Sequence, residues 1–155
     1  MKDRLLLFDI DLTLTKSDGS GIRAMERHFC DYTGHIGEVR LPRADGRCDT
    51  WIVEQLFVVN GFAYEADMYE GFMQGYLDEL SRIFRPPAAG VMPGAAELLP
   101  ELQKRKGFYL GLVTGNDYRG ARIKLEAFDL YHYFPVGGFG SDSGVRAELT
   151  PLAME

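Results

Sequence analysis

The sequence predicts an α/β fold, an open parallel sheet carrying one inserted block of helices. Three observations predict it. Residues 5–8 (LLLF) form a continuous apolar run that stops abruptly at Asp9-Ile10-Asp11, the pattern of a strand buried on both faces with carboxylates at its carboxyl end. Residues 109–113 repeat the pattern and stop at Thr114-Gly115-Asn116, with a helix-like stretch behind them. Between the two lies a long segment patterned for helices, and strand-helix alternation with a single helical interruption implies a parallel sheet with an insert.

In chain order, the first strand at 5–8 is followed by Ile22, Met25, Phe29 and Cys30 at i, i+3, i+7 and i+8, so residues 21–33 read as an amphipathic helix. Asp49 or Thr50 caps a second helix that buries Ile52, Val53, Leu56 and Phe57. A third helix covers about 65–84, its Tyr and Phe residues read as packing. The breaker cluster Arg85-Pro86-Pro87-Ala88-Ala89-Gly90 then leads back to the sheet. After Pro93-Gly94, Leu98, Leu99 and Leu102 mark a helix that Pro100 should kink, and Gly107 stops it before the second strand. Ala121, Leu125 and Phe128 give the next helix its buried face. Residues 134–139 are a weaker, Gly-rich third strand ending at Gly140-Ser141-Asp142, and residues 147–155 pattern as a last helix.

The chain has 155 residues, 46% hydrophobic and 26% charged, an ordinary globular composition long enough for a core without disulfide or metal staples. A formal charge of -6 lacks the basic footprint that phosphate-backbone binding requires, so nucleic acid is not an expected partner. No window approaches the roughly 18 apolar residues of a membrane span. Cys30 and Cys48 form no CxxC pair and the acidic N-terminal run is unlike a signal peptide, so a reduced, cytoplasmic protein is expected, with Cys30 in the core and Cys48 in a partly buried loop. His28, His35 and His132 lack metal-ligand spacing and read as surface or interface residues.

Ligands of open α/β sheets bind outside the carboxyl ends of the strands, which is where both notable loops lie. Asp9 and Asp11 put two carboxylates two positions apart, and buried charge is costly unless something positive answers it. Mg²⁺ is a natural answer, since it takes oxygen ligands and binds a few carboxylates together with phosphate oxygens. The plain alternative is a strand end followed by a turn. Thr114, Gly115 and Asn116 offer a hydroxyl, close backbone approach and N–H groups at a helix mouth, which suits an anion; the alternative there is a simple Gly turn.

Residues 5–15, with Asp9-Ile10-Asp11-Leu12-Thr13, resemble the first motif of the haloacid-dehalogenase-like hydrolases, DxDxT after a hydrophobic strand. Val113-Thr114-Gly115-Asn116 resembles their second motif, and Gly46-Arg47-Cys48-Asp49 a cap-domain loop. The resemblance implies a three-layer Rossmann-like core of residues 1–15 and 89–155 with an α-helical cap at 16–88. It implies Mg²⁺-dependent hydrolysis of a phosphate monoester, with a small phosphorylated metabolite as partner. Asp9 would be the nucleophile that forms an aspartyl-phosphate, and Asp11 the acid that protonates the leaving alkoxide and then activates water. The metal would be held by the Asp9 carboxylate, the Asp11 main-chain carbonyl and a later acidic residue. Thr114 with the N–H groups near Gly115 and Asn116 would hold the phosphoryl oxygens. Arg47 would face an anionic substrate. The basic residue of the third motif is assigned to Arg146, with Lys124 in reserve. Relatives that displace halide lack the second acid, so Asp11 favours phosphate esters.

Two departures from the family pattern stand out. Leu12 replaces the Gly that many relatives carry. The fourth motif, an acidic pair ending a further strand, has no counterpart after Gly140, so the C-terminal strands are expected to be missing and the strand at 5–8 to lie on an open edge prone to self-association. The rival expectation is a non-catalytic relative that binds phosphate or a protein partner. A phosphorelay receiver also gathers acids around Mg²⁺, but it predicts no large insert.

Overall fold

The computed structural model describes residues 3–154. The chain runs β1 (Arg4–Phe8), β2 (Thr15–Ser17), α1 (Ser20–Thr33), α2 (Asp49–Val59), α3 (Met68–Ile83), β3 (Ala89–Val91), α4 (Ala95–Gln103), β4 (Phe108–Thr114), α5 (Tyr118–Glu126), a 3₁₀ turn (Tyr131–Tyr133), β5 (Val136–Phe139) and α6 (Arg146–Leu152). The expected alternation is there. Three parallel strands form the main sheet in the order β1-β4-β5, with Leu6 opposite Leu110, Phe8 opposite Leu112 and Thr114 opposite Phe139. Among the described residues β1 pairs only with β4, so its other edge is open. The parallel register sets Asp9, Thr114 and Gly140 at one end of the sheet, which is what makes a shared site there possible.

The expected helices are all present, within a few residues of where the apolar spacing put them. The first begins at Ser20 behind Gly19 and stops at Gly34 (φ 72°), whose N–H donates to the Cys30 carbonyl at 2.8 Å, a left-handed glycine stop. The third is shorter than expected, because its first turn starts at Met68 rather than at residue 65. The weak third strand is also shorter, Val136–Phe139, since residues 131–133 wind into the 3₁₀ turn. Pro100 is accommodated inside α4, which continues to Gln103. The last helix, expected over 147–155, is Arg146–Leu152, and residue 155 lies outside the described residues.

One element has no counterpart in the sequence reading. β2 and β3 pair antiparallel, Thr15 with Val91 and Ser17 with Ala89. Three-residue strands carry too few positions for any period to register. The pair joins the sheet to the block of α1, α2 and α3.

Each side of this joint has its own core. Around the sheet the buried residues are aliphatic except for Phe134, with Ile10, Leu14, Leu99, Leu112 and Leu125 fully enclosed. The helical block instead packs aromatic edges onto faces: Phe29 and Phe57 meet at 5.3 Å and Phe57 and Phe72 at 5.4 Å between centroids, the T-shaped geometry that ring quadrupoles favour. Burying one such side chain contributes about 1.5–3 kcal/mol. The two cysteines exchange their expected places: Cys48 is buried and Cys30 is only half-buried. No helix among the described residues is long and apolar enough to cross a membrane.

Candidate active site

A cavity of about 480 Å³ opens where the carboxyl ends of β1 and β4 face the helical block, and Asp9, Asp11, Thr114, Lys124 and Arg146 all line it. The floor is built from both predicted loops. Asp9 follows the last residue of β1; its Oδ1 accepts from the Ile10 amide at 2.8 Å and its Oδ2 from Arg146 at 2.5 Å. Asp11, two residues on, receives Lys124 Nζ on both carboxylate oxygens at 2.8 Å and Asn116 Nδ2 at 2.8 Å. Burial pushes the Asp11 carboxyl up, but the Lys124 ammonium and the bonds from Lys124 and Asn116 outweigh it, so the net displacement is below the usual carboxylate value.

Lys124 and Arg146 are therefore not alternatives for one place. Each answers a different carboxylate. Arg146, on the first turn of α6, reaches Asp9 with both partners about one-third exposed. Lys124 comes from α5 and is 7% exposed, with its ammonium also donating to Asn116 Oδ1 at 2.6 Å. The periodicity of α5 hid this role, because Lys124 lies beside the buried Leu125 and reads from sequence as an ordinary helix cation.

Thr114 closes β4 and is fully buried; its Oγ1 accepts from Asn116 Nδ2 at 2.7 Å and from the Asn116 amide at 3.3 Å. Asn116 thus ties the second loop to the first. Gly115 is held for another reason: a Cβ on it would lie 2.1 Å from the Arg47 carbonyl oxygen, and one on Gly140 would lie 2.0 Å from the Gly115 carbonyl oxygen. Three backbone segments meet there at distances that side chains forbid. The Asp49 amide donates to the Gly115 carbonyl at 2.7 Å, the Asp117 amide to Asp49 Oδ2 at 2.8 Å, and Thr50 Oγ1 to the Gly140 carbonyl at 3.3 Å. Arg47 itself is exposed at the cavity wall, its guanidinium 4.6 Å from the centre of the Trp51 ring.

Several site residues escaped the sequence reading. Asp49 is a helix cap there, but it is 7% exposed and burial pushes its carboxyl up to about 6, against the pull of Lys124 and the Asp117 amide. Asp117 caps α5 and is the hub between the two halves, accepting from Tyr69 Oη at 3.1 Å and from Arg119 at 2.9 Å, while Arg119 also reaches Glu70 at 2.8 Å. Tyr69 and Tyr76, read as packing, present their hydroxyls to this region instead. Only the D of an Asn-Asp pair before a helix signalled Asp117. Leu12 sits at φ 61° and is 75% exposed, so the departure from Gly at this turn is a strained left-handed leucine.

The donors offered to a metal are oxygens. Asp9 and Asp11 supply them, and among the described residues no third His, Cys, Asp or Glu converges with them. Such a set suits a hard cation that completes its shell with water and phosphate oxygens, as Mg²⁺ does, and does not make a closed protein cage.

The haloacid dehalogenase-like hydrolase family model matches residues 6–154. Among curated proteins no sequence matches. Solved structures share the fold at low identity. A candidate phosphoglycolate phosphatase of Lactobacillus plantarum is 22% identical with a TM-score of 0.59, over 94% of this chain and 66% of that one. CbbY of Rhodobacter sphaeroides, solved with phosphate, is 17% identical with a TM-score of 0.76, over 98% and 71%. The candidate hydrolase YfnB of Bacillus subtilis, solved bound to magnesium, is 18% identical with a TM-score of 0.53, over 93% and 68%. The chain thus spans about two-thirds of the length of these proteins.

Proposed function

The chain belongs to the haloacid dehalogenase-like hydrolase family, and from that premise we propose that it hydrolyses phosphate monoesters of small metabolites, with Mg²⁺, through an aspartyl-phosphate on Asp9. One observation carries the reading. Two carboxylates at the end of one strand share a cavity with a buried threonine hydroxyl and two cations, each cation bonded to a different carboxylate. A strand end that merely turned would not recruit Lys124 and Arg146 from two separate helices.

An Asp9 oxygen attacks phosphorus and the ester C–O–P bond breaks at phosphorus, releasing an alkoxide. Arg146, already on Asp9 Oδ2, meets the phosphoryl charge as it approaches. Thr114, which accepts from Asn116, keeps its own hydroxyl proton to donate to a phosphoryl oxygen. Asp11 gives its proton to the alkoxide and then takes one from the water that opens the aspartyl-phosphate. Lys124 favours the ionised Asp11 that this second step needs, and the arriving phosphate charge raises the carboxyl again for the first. Mg²⁺ would be held by the Asp9 carboxylate and the Asp11 main-chain carbonyl, and would supply electrostatic stabilisation of the transferring phosphoryl group. The helical block acts as the cap, with Arg47 at its mouth. The similar folds of a candidate phosphatase, of a protein solved with phosphate and of one solved with magnesium support this choice among the family's chemistries.

The test is release of inorganic phosphate from p-nitrophenyl phosphate with and without Mg²⁺, in the wild type and in Asp9→Asn. Turnover that needs both Mg²⁺ and Asp9 is expected. The second reading, a phosphate-binding relative without turnover, takes over if no phosphate is released while beryllofluoride with Mg²⁺ still raises the melting temperature in an Asp9-dependent way.

A further inference from the structure

The catalytic floor accounts for only half of the cavity, and the other half receives what the reaction expels. Attacking and leaving oxygens lie roughly in line on phosphorus, so an ester attacked by Asp9 sends its alcohol away from the floor and toward the helical block. What that block offers there is largely apolar. Gly19 and Gly21 have no side chain, Ile22, Met25 and Ile52 are apolar, and Asp49 is turned to the Asp117 amide. Tyr76 of α3 backs this wall and is 3% exposed.

Two aliphatic side chains of the cavity are left open to water. Leu12 is 75% exposed and Ile22 51%, the first from the floor loop that follows Asp11 and the second from α1. Large exposed apolar side chains at one concave site are the surface that a ligand's apolar part covers. Leu12 also holds a left-handed backbone, φ 61°, a conformation that costs any residue with a side chain and that tends to persist where a site uses it.

Charge speaks against a second anion. Among the described residues four acids line the cavity, Asp9, Asp11, Asp45 and Asp49, against three cations, Arg47, Lys124 and Arg146. Lys124 and Arg146 are already bonded to Asp11 and Asp9. Arg47 has Asp45 two residues away on the same exposed loop, and its guanidinium lies over the Trp51 ring. A divalent cation and a phosphoryl dianion cancel each other, so these groups leave no positive charge over for a further oxyanion.

Resting on the phosphatase reading, we propose that the cap side of the cavity selects an uncharged, apolar leaving alcohol, and that Ile22 and Leu12 are the residues that select it. The substrate class is a phosphate monoester of an alkyl or aryl alcohol. The alcohol lies between Leu12 and the wall of Ile22, Met25 and Ile52, where its burial releases water from the two exposed side chains.

The probes are non-hydrolysable phosphonates, titrated by calorimetry with Mg²⁺ present. Methylphosphonate and n-butylphosphonate differ only in apolar length, and 3-phosphonopropionate is about the size of the butyl compound but carries a second anion. Affinity is expected to rise about threefold per added methylene, roughly thirtyfold from methyl to butyl, and the butyl compound is expected to bind about tenfold tighter than 3-phosphonopropionate. Ile22→Ser is expected to cut the butyl-over-methyl ratio about fourfold, and Ile22→Leu to restore it. Should Ile22→Ser melt below wild type, Leu12→Ser, at the more exposed position, takes its place. Equal affinity or none for methyl- and butylphosphonate overturns the proposal, as does tighter binding of 3-phosphonopropionate than of butylphosphonate, or a ratio that both serine variants leave untouched. A chain-length ratio in a protein that releases no phosphate from p-nitrophenyl phosphate keeps the apolar wall and sinks the hydrolase reading; turnover without any ratio does the reverse.

Discussion

Asp9 and Asp11 are the same residue type, two positions apart on one strand end, yet the fold treats them differently. Asp9 keeps one oxygen on its neighbour's amide and lends the other to a single, partly exposed arginine. Asp11 has both oxygens taken by a buried lysine and one shared with Asn116. The difference comes from which distant helix reaches each carboxylate, α6 in one case and α5 in the other. A motif three residues wide thus acquires a half-open member and a restrained member only through tertiary structure.

The sharpest way to break that contrast is Asp9→Asn. It removes the proposed nucleophile while keeping the shape, and a loss of about a thousandfold in phosphate release is expected, read by a steady-state assay. The two cations should then separate by stability. Lys124→Met strips a buried ammonium from Asp11 and Asn116 and should cost about 2–3 kcal/mol in urea denaturation, whereas Arg146→Met, at a pair one-third exposed, should cost less than about 1 kcal/mol. Equal costs would dissolve the distinction between a buried and a half-open half of the site.

Asp49 adds a third carboxylate with the opposite sign. Its folded value of about 6 lies above the ordinary 3.8, so the folded state binds more protons than the unfolded one between these values. Stability contributed by the protonated form is therefore lost as pH rises from about 4 through 6. Asp49→Asn should raise stability by about 2 kcal/mol at pH 8, with the gain vanishing at pH 4, measured by melting curves across that range. A modest effect of the opposite sign concerns the turn after the pair: Leu12→Gly relieves a left-handed leucine and should stabilise by about 1 kcal/mol in the same melts.

The parallel strands and amphipathic helices were legible because each signal is local: apolar runs with abrupt polar ends, and spacing by three and four. The acids and the Thr-Gly-Asn loop were legible for the same reason. Asp117 and Tyr76 were not, because each looks like an ordinary helix residue until the helix is docked, and Lys124 was singled out only through the family resemblance, as a reserve for Arg146. Their roles lie in distances between elements 48 to 113 residues apart in sequence, as in the Tyr69–Asp117 and Lys124–Asp11 bonds. The hinge strands were hidden by brevity, and the glycine contacts of 115 and 140 by the fact that a close approach leaves no mark on a single chain segment.

The pairing of β2 with β3 has a consequence for how such molecules are remodelled. Lys16 and Gly90 are direct neighbours across it, so the chain leaves the sheet and returns to it one strand spacing away, about 5 Å. Everything between those two residues is a cassette with adjoining ends. Another helical block can therefore be joined at the same two ends, provided that it rebuilds the bonds by which Asp49, Thr50 and Tyr69 hold Gly115, Gly140 and Asp117.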